Sequence, residues 1–422
     1  MALPRSAVIV GGNRTPFAKA GGPYAAASNT DLLTAALDGL VARFGLAGRR
    51  LDEVAGGAVL KHARDFNLTR EAVLGSSLHP TTPAVDLQQA CATGLESVIY
   101  VANKISLGQA DVGIGCGVDS ASDAPIAVSE RLRRALLSAN RARTLPQRLA
   151  AFASLRPADL APVAPQVVEP RTGLSMGQHQ ARTAERWGIT RHAQDELALA
   201  SHTNLARAWA DGFFDDLVTP YLGVTKDTIL RADTSLEKLA ALKPVFGDTM
   251  TAGNSTALTD GAASVLLAEA GWAESQGLPA LARIVDAQVA AVDFPDGDDL
   301  LLAPTHAAAR LLARQGMSLG DFELYELHEA FASTVLATLA AWESAEFCRD
   351  QLGLSAPLGS IERDRLNISG SSLAAGHPFA ATGGRIVPIL AKLLHSRGSG
   401  ARGLISICAA GGQGVVAILE AV

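Results

Sequence analysis

The amino-acid sequence predicts an α/β protein built from two α/β halves, with an insertion in the first half. Short apolar runs, typical of buried strands, alternate along the chain with segments of helical periodicity. The 422 residues exceed one ordinary domain of roughly 100–200 residues. Apolar residues make up 48% of the chain and charged residues only 18%, below the roughly 25% of an average soluble domain. We therefore expect a large core of small and aliphatic side chains, and a surface partly covered by a partner.

The individual elements follow from local patterns. The best-defined helix is expected from about Arg191 to Asp211, because Thr190 suits the N-cap position and Gly212 the position after the C-cap. Its apolar stripe indicates a packing role. The strand candidates are Ala7–Val10, Val112–Ile114, Val265–Leu267, Leu404–Ile407 and Val415–Leu419.

The domain organisation is predicted from shifts in composition. Residues 1–270 form the first half and residues 278–422 the second, and each half contains a small-residue turn that opens a helix, at 90–94 and 376–384. Residues 122–248 differ from their flanks through a basic segment and a proline-interrupted stretch, which indicates an inserted loop domain. The basic segment is typical of a solvated helix face, with contact to a phosphate or an acidic partner as the alternative.

Composition also excludes several classes of protein. The net charge of −6 leaves no basic footprint for nucleic acid. Apolar runs stay short of the roughly 18 residues of a membrane span, and the first residues lack the apolar region of a secretory signal. Four cysteines in 422 residues make no disulfide framework. We expect a cytoplasmic enzyme without a transmembrane segment.

Some motifs match a known pattern but lack its structural context. Residues 173–177 satisfy the G-x-S-x-G nucleophile pattern around Ser175, yet no strand-like run precedes them. Residues 412–417 match a dinucleotide fingerprint, yet only five residues follow, too few for a βαβ unit. CxxC and HExxH spacings do not occur, so no metal site is predicted.

Cys91 is the first strong candidate for chemistry. Helical periodicity starts directly after Gly94, so Cys91 lies at or just before a helix N-terminus among small residues. The N–H groups and the positive end of the helix dipole are expected to lower the pKa of its thiol. The alternative is a small buried side chain, the usual fate of a free cysteine.

The C-terminal third adds three further titratable residues at junctions between elements. His377 lies in a Gly/Ser-rich loop before a helix, Cys408 at a strand end before a glycine-rich turn, and His328 where a strand-like run meets a helix. Lone histidines are usually surface or core residues. Four such residues at separate junctions are hard to explain by packing alone.

Together these segments resemble the thiolase family, and the resemblance covers nearly the whole chain. Its motifs occur in the family's order: Arg-Thr-Pro-Phe at 14–17, the Cys91 segment, Ser-Met-Gly at 175–177, Ala-Gly-Asn-Ser-Thr at 252–256, His-Glu-Ala-Phe at 328–331, Gly-His-Pro at 376–378 and Cys-Ala-Ala-Gly-Gly-Gln-Gly at 408–414. The resemblance implies the thiolase fold, two similar halves packed as a layered αβαβα core with an inserted loop domain.

The resemblance implies a role for each catalytic candidate. Cys91 is the acylated nucleophile, His377 the histidine that activates it, and Cys408 the cysteine that exchanges a proton at the α-carbon. His328 stands where many thiolases have asparagine, which is similar to the degradative branch and implies an oxyanion donor. The backbone N–H groups of Cys91 and Ala410 form a second oxyanion hole, although Ala410 replaces a family glycine.

Contacts to CoA or substrate are implied for four residues: Ser175, Met176, Thr256 and Phe331. Ser175 stands where some members have a CoA-contacting histidine, which puts that contact in doubt. Residues 371–373 read Ser-Ser-Leu where the family pattern has Gly-Ala-Ile.

The expected activity is therefore CoA-dependent cleavage of 3-ketoacyl-CoA to acetyl-CoA and a shortened acyl-CoA, with CoA as co-substrate and no tightly bound cofactor. The alternatives are a biosynthetic acetoacetyl-CoA thiolase, a decarboxylating ketosynthase, which has no use for a second cysteine, and a non-catalytic protein that binds acyl-CoA or lipid. The resemblance also implies a homodimer or homotetramer, and a hydratase/dehydrogenase α-subunit is a possible partner.

Overall fold

The computed structural model describes residues 5–165, 167–297 and 299–422. They fall into two compact units, a large one that consists of the chain up to Asp123 together with Val168–Val422, and a small one, Ala124–Val167. The small unit is shorter than the predicted insertion of residues 122–248, because the helices that follow Val168 pack within the large unit.

The strands in chain order are β1 (Ala7–Arg14), β2 (Ala18–Lys19), β3 (Glu53–Gly56), β4 (Ala84–Asp86), β5 (Val112–Ser120), β6 (Ala127–Val128), β7 (Pro162–Val163), β8 (Pro244–Phe246), β9 (Met250–Thr251), β10 (Thr259–Glu269), β11 (Ala282–Ala291), β12 (Leu324–Leu327), β13 (Arg402–Ala409) and β14 (Gln413–Ala421). All five predicted strands lie inside observed ones.

The helices in chain order are α1 (Asn29–Phe44), α2 (Leu68–Gly75), α3 (Thr93–Ser106), α4 (Glu130–Arg141), α5 (Leu145–Ala150), α6 (Met176–Arg186), α7 (Arg191–Ala210), α8 (Leu236–Ala240), α9 (Ala270–Ser275), α10 (Ala303–Gln315), α11 (Ala332–Glu343), α12 (Ala345–Asp350), α13 (Ser372–Ala375) and α14 (Ala381–Arg397). The predicted helix is α7. Thr190 caps it as expected, and Gly212 follows its end with a positive φ of 72°.

Nine strands form one continuous mixed sheet in the order β12-β13-β14-β11-β1-β10-β5-β3-β4, and β2 pairs with β10 beside this path. The first half supplies β1, β3, β4, β5 and β10, and the second half supplies β11 to β14. A short antiparallel pairing of β1 with β11, Val8 to Arg283 and Ile9 to Ala282, joins the two halves. Each half has antiparallel strands at its centre and parallel strands at its outer edge.

Helices α3 and α14 lie between the strands of the two halves. Both pack against β1 and β10 of the first half, and α14 also packs against β12, β13 and β14 of the second. One apolar cluster unites these two helices with the inner strand faces of both halves. A second cluster joins the outer face of the first half to α1 and α2, and a third joins the second half to α10 and α11. The order of layers is therefore the expected αβαβα. The layers are α1 with α2, the strands of the first half, α3 with α14, the strands of the second half, and α10 with α11.

The small unit consists of an antiparallel pair, β6 and β7, with helices α4 and α5. Its basic residues include Arg133 and Arg134, which pair with Glu130 at 2.7 Å on an exposed helix face. Such exposed pairs are typical of a solvated surface. Among the helices that the structure describes, none is long and apolar enough to cross a membrane.

Candidate active site

Cys91 lies in a tight turn between β4 and α3. Ala90, directly before it, has a positive φ of 45°, a conformation that costs an L-residue on the order of 1 kcal/mol. Thr93 holds the turn, since its hydroxyl donates to the Ala90 carbonyl (2.7 Å) and accepts from the Gln89 N–H (2.9 Å). The turn places Cys91 at the mouth of α3, as the sequence predicts.

His377 lies in the loop that leads into α14. Its backbone N–H donates to the Thr259 hydroxyl (2.8 Å). Its ring Nε2 lies 3.1 Å from the Cys91 Sγ, and its Nδ1 lies 2.5 Å from the Thr382 Oγ1. If the thiol donates to Nε2, the neutral ring must carry its proton on Nδ1 and donate it to Thr382. The contacts thus orient an unprotonated Nε2 toward the sulfur.

The two glycine-rich turns bring the nucleophile and the histidine together. A Cβ on Gly94 would lie 2.5 Å from the Ala380 carbonyl oxygen, and a Cβ on Gly383 would lie 2.1 Å from the Leu95 nitrogen. Only glycine allows this backbone contact between the first turns of α3 and α14. The packing of the two helices therefore sets the distance between Cys91 and His377.

His328 follows β12 and faces the same site. Its backbone N–H donates to the Ser406 carbonyl (2.9 Å), and its Nδ1 lies 2.8 Å from the Ser372 Oγ. The rings of His328 and His377 have centroids 4.1 Å apart. In the part of the chain that the structure describes, the His328 Nε2 is buried without a hydrogen-bond partner. A substrate oxygen could supply that partner.

The last strands supply a thiol and a backbone donor. The backbone N–H groups of Ala410 and of Cys91 itself act on the Cys91 thiol in the direction that lowers its pKa. Cys408, near the end of β13, is 4% exposed, and burial raises the pKa of its thiol, which a negative charge on Cys91 would raise further. The Glu169 carboxylate accepts from the Gly411 N–H at 2.6 Å and so anchors the turn that presents Ala410.

Burial dominates the electrostatics of the site. Cys91 is partly exposed, yet loss of solvent around its sulfur raises the pKa of its thiol to about 12, despite the N–H groups that oppose the shift. The expectation of a lowered Cys91 pKa is therefore wrong. Burial, aided by the positive charge of Arg385, lowers the pKa of His377 to about 3 and that of His328 well below its usual value. The resting pair is a neutral thiol and a neutral imidazole.

The same three side chains could hold a metal ion. One donor atom from each of Cys91, His328 and His377 lies within 4.8 Å of the others, and a thiolate with two imidazoles is a donor set that Zn²⁺ accepts. The sequence patterns predict no such cluster, because its members come from distant parts of the chain. Their arrangement also suits acyl transfer, with a nucleophile, a base and donors for a developing oxyanion.

Apolar side chains surround the Cys408 side of the site. Cys408 packs in one cluster with Met176 and Phe331. Thr256 is tied to the neighbouring segment, since its N–H and its hydroxyl both donate to the Ala330 carbonyl at 3.1 and 3.0 Å. The structure thus places Met176 and Phe331 beside a catalytic candidate, and Thr256 one step away from Phe331.

Ser175 has a structural role. It caps α6, where its hydroxyl accepts from the Gln178 N–H (3.2 Å) and the Gln178 side chain accepts from the Ser175 N–H (2.8 Å). Neither contact involves a histidine. The G-x-S-x-G match is a helix cap, as the lack of a preceding core strand indicates.

Glu329 connects three segments around the site. Its carboxylate accepts from the Ser201 hydroxyl (2.7 Å), the Asn367 amide (2.8 Å) and the Leu373 N–H (3.1 Å). It therefore joins α7, the segment that carries His328 and the loop before α13.

Asp119 is a residue that the sequence patterns do not single out. Its buried carboxylate accepts from the N–H groups of Val59 (3.0 Å), Leu60 (2.7 Å) and Ala380 (2.9 Å). It ties the end of β5 to the loop that follows His377. The available signal is one acidic residue near the end of an otherwise apolar strand.

The whole chain is similar to known proteins in sequence and in fold. A family model described as the N-terminal domain of thiolase matches residues 7–271, and one described as the C-terminal domain of thiolase matches residues 278–421. The chain is 43% identical over 421 residues to a 3-ketoacyl-CoA thiolase of Aeromonas salmonicida, and 41% identical over 422 residues to one of Yersinia pestis. Each alignment covers 98% of this chain and 96% of the relative.

Two solved structures share the fold over their full lengths and that of this chain. The acetyl-CoA acetyltransferase of Bacillus anthracis superposes with a TM-score of 0.83 at 30% identity. The human mitochondrial 3-ketoacyl-CoA thiolase superposes with a TM-score of 0.81 at 27% identity.

Proposed function

The chain belongs to the thiolase family, and we propose that it cleaves 3-ketoacyl-CoA with CoA, through an acyl-enzyme on Cys91. The products are acetyl-CoA and an acyl-CoA shortened by two carbons. The observation that carries the proposal is the 3.1 Å contact between the Cys91 Sγ and the His377 Nε2. The names of the Aeromonas and Yersinia relatives favour the degradative direction.

The first step forms the bond between the Cys91 sulfur and C3 of the substrate. As the sulfur attacks, its proton passes to the Nε2 of His377, whose Nδ1–H remains hydrogen-bonded to Thr382. The C3 oxygen gains negative charge in the tetrahedral intermediate. The N–H groups of Cys91 and Ala410 are the donors that stabilise it.

The second step breaks the C2–C3 bond, and its electron pair moves into a thioester enolate. The enolate oxygen meets donors from His328 and from the protonated His377. Cys408 gives its proton to C2, which completes acetyl-CoA and leaves a thiolate at Cys408. Burial raises the pKa of the Cys408 thiol, so this thiol stays protonated until the enolate forms.

The last step transfers the acyl group to CoA. The CoA thiol attacks the acyl-enzyme and its proton restores Cys408, while His377 returns its proton to the departing Cys91 sulfur. The same residues can condense two thioesters in reverse. A histidine at 328, where many thiolases have asparagine, weighs against the biosynthetic alternative.

Substrate contacts are assigned by position. Met176 and Phe331 pack beside Cys408, which suits them to line the acyl or pantetheine path. Thr256 lies next to this wall through its bonds to Ala330. Ser175 stands one residue before Met176, and its hydroxyl oxygen accepts the bond that caps α6, which leaves its O–H to donate to a bound substrate.

The domain bounds and the oligomeric state are inferred from the thiolase family in the same way. Residues 1–270 and 278–422 act as N- and C-terminal thiolase domains with an inserted loop domain, which the spans of the two family models support. The enzyme works in the cytoplasm as a homodimer or homotetramer, and a hydratase/dehydrogenase subunit is the partner that would supply its substrate.

A thiolysis assay across 3-ketoacyl-CoA chain lengths tests the proposal. Wild-type protein cleaves substrates longer than acetoacetyl-CoA, and Cys91→Ala loses about ten-thousand-fold of kcat/KM. Gly320→Ala is the control and stays within about twofold, because its added methyl would meet only the Ser318 Oγ at 3.6 Å and lies outside the site. Activity confined to acetoacetyl-CoA would favour the biosynthetic alternative. Acyl-CoA binding without turnover would favour the non-catalytic one.

A further inference from the structure

Arg385 is a buried arginine of α14 that the mechanism above does not use. Its side chain is 1% exposed, and its charge acts on both active-site imidazoles. Its Nη2 donates to the hydroxyls of Ser371 (3.1 Å) and Ser372 (3.0 Å). A guanidinium has only donors, so both serine oxygens must accept.

Ser372 stands between this arginine and His328. Its Oγ lies 2.8 Å from the His328 Nδ1, and the residue is fully buried. Among the described residues the hydroxyl oxygen has two partners, Arg385 and His328. The Arg385 contact fixes one as a donor to the oxygen, so the direction of the second bond decides where the serine hydrogen goes.

Two arrangements of that second bond can be compared. If the His328 Nδ1–H donated to Ser372, the buried serine hydrogen would have no acceptor, and an unpaired buried donor is unfavourable. If Ser372 donates to Nδ1, the serine hydrogen has an acceptor, and the ring hydrogen left without a partner among the described residues is the one on Nε2, where a substrate oxygen can accept it. The positive charge of Arg385 polarises the hydroxyl in the same sense. The neutral imidazole then carries its own hydrogen on Nε2, the atom that has no partner in the described structure.

We propose that Arg385 and Ser372 are positioning residues that hold His328 in its Nε2–H tautomer, so that it offers a hydrogen-bond donor to the thioester oxygen. The proposal rests on the proposed function, because the donor is useful only where an enolate forms. Ser371 shares the arginine but does not touch His328 in any hydrogen bond of the described chain, and it therefore provides a matched control.

The tautomer can be measured directly by NMR of the full-length protein labelled with ¹⁵N-histidine. Long-range ¹H–¹⁵N spectra distinguish the two neutral tautomers and the imidazolium, and His328→Gln assigns the signal. Wild-type protein and Ser371→Ala should show His328 as the Nε2–H form at neutral pH. A wild-type signal from the Nδ1–H form or from the imidazolium would overturn the proposal, whether or not any serine variant folds.

Kinetics provide the second readout. Ser372→Ala should lose about ten- to a hundred-fold in kcat with KM within about twofold, less than the 10²–10³ of removing an oxyanion donor outright. Ser371→Ala should stay within about threefold of wild type. Equal losses of kcat in the two serine variants would refute the positioning role of Ser372 and leave the proposed function intact. A wild-type enzyme without thiolysis would refute the function, while the NMR result would still decide the tautomer.

Discussion

In the Cys91–His377 pair the thiol is a weak acid and the imidazole is a weak base. Burial raises the pKa of the thiol to about 12 and lowers that of the imidazole to about 3, so the resting pair carries no charge. The N–H groups of Cys91 and Ala410 favour negative charge on or near the sulfur. Charge separation is thus deferred until a substrate carbonyl is present to receive the electrons.

The pH dependence of acylation follows from these two shifts. The imidazole stays unprotonated at every pH above its lowered pKa, and the thiol keeps its proton below its raised one. The competent neutral pair therefore persists from about pH 5 to pH 9. The rate of Cys91 acetylation by acetyl-CoA, followed by quenched-flow mass spectrometry, should vary by less than about threefold across this range. An acid limb near pH 6.5 that disappears in His377→Gln would show that the imidazole titrates normally.

His328 is expected to act on turnover more than on binding. His328→Ala removes one donor to the enolate oxygen, which should lower kcat for thiolysis about 10²- to 10³-fold. KM should change by less than about threefold, because the interaction strengthens only as charge develops. His328→Asn, which restores the residue common in other thiolases, should recover part of the loss. Near-normal kcat in His328→Ala would remove this residue from the mechanism.

At the scale of elements, two helices and two turns position the chemistry. The first turns of α3 and α14 touch through glycine backbones, and Asp119 ties the start of α14 to the first half. The apolar spacing after Gly94 and the small residues before α14 predict both helices. The contact between them is not visible in either segment, because it joins residues nearly 300 positions apart.

The glycine contact makes a stability prediction. Gly94→Ala would force a Cβ to within 2.5 Å of the Ala380 carbonyl oxygen, and the required backbone shift should cost about 1–3 kcal/mol of unfolding free energy. Thermal unfolding should show a lower Tm and thiolysis a lower kcat. Gly320→Ala is the control, since its added methyl would meet only the Ser318 hydroxyl oxygen at 3.6 Å. Equal melting temperatures for wild type and Gly94→Ala would contradict the account.

Local sequence patterns predict some features of the fold and the site, whereas other features depend on tertiary contacts and could not be predicted. Periodicity and capping residues predict the strands and α7 because those signals are local. The family motifs indicate Cys91, His328, His377 and Cys408 for the same reason. The pKa of Cys91 could not be predicted from its place at a helix N-terminus, because desolvation in the folded chain outweighs the nearby N–H groups. The bonds of Arg385 were equally hidden, although a single arginine within an apolar helix segment is a usable signal.

At the scale of the molecule, the composition reflects layers that bury sheet on both faces. Strand β1 shows this directly, since Ala7 and Ile9 enter the cluster around α3 and α14 while Val8 and Val10 enter the cluster around α1. Strands covered on both sides need apolar residues at every position. The 48% apolar content and 18% charge follow from this architecture. The four cysteines of the chain are all free thiols in the structure.

The most direct test of the account is the location of the acyl group. Wild-type protein mixed with a 3-ketoacyl-CoA in the absence of free CoA, quenched in acid and digested, should yield one acylated peptide, the one that contains Cys91. The modification should be absent from Cys91→Ala and present in Ser175→Ala. An acyl group on Ser175 or on Cys408, or no covalent intermediate during active turnover, would contradict the proposed mechanism.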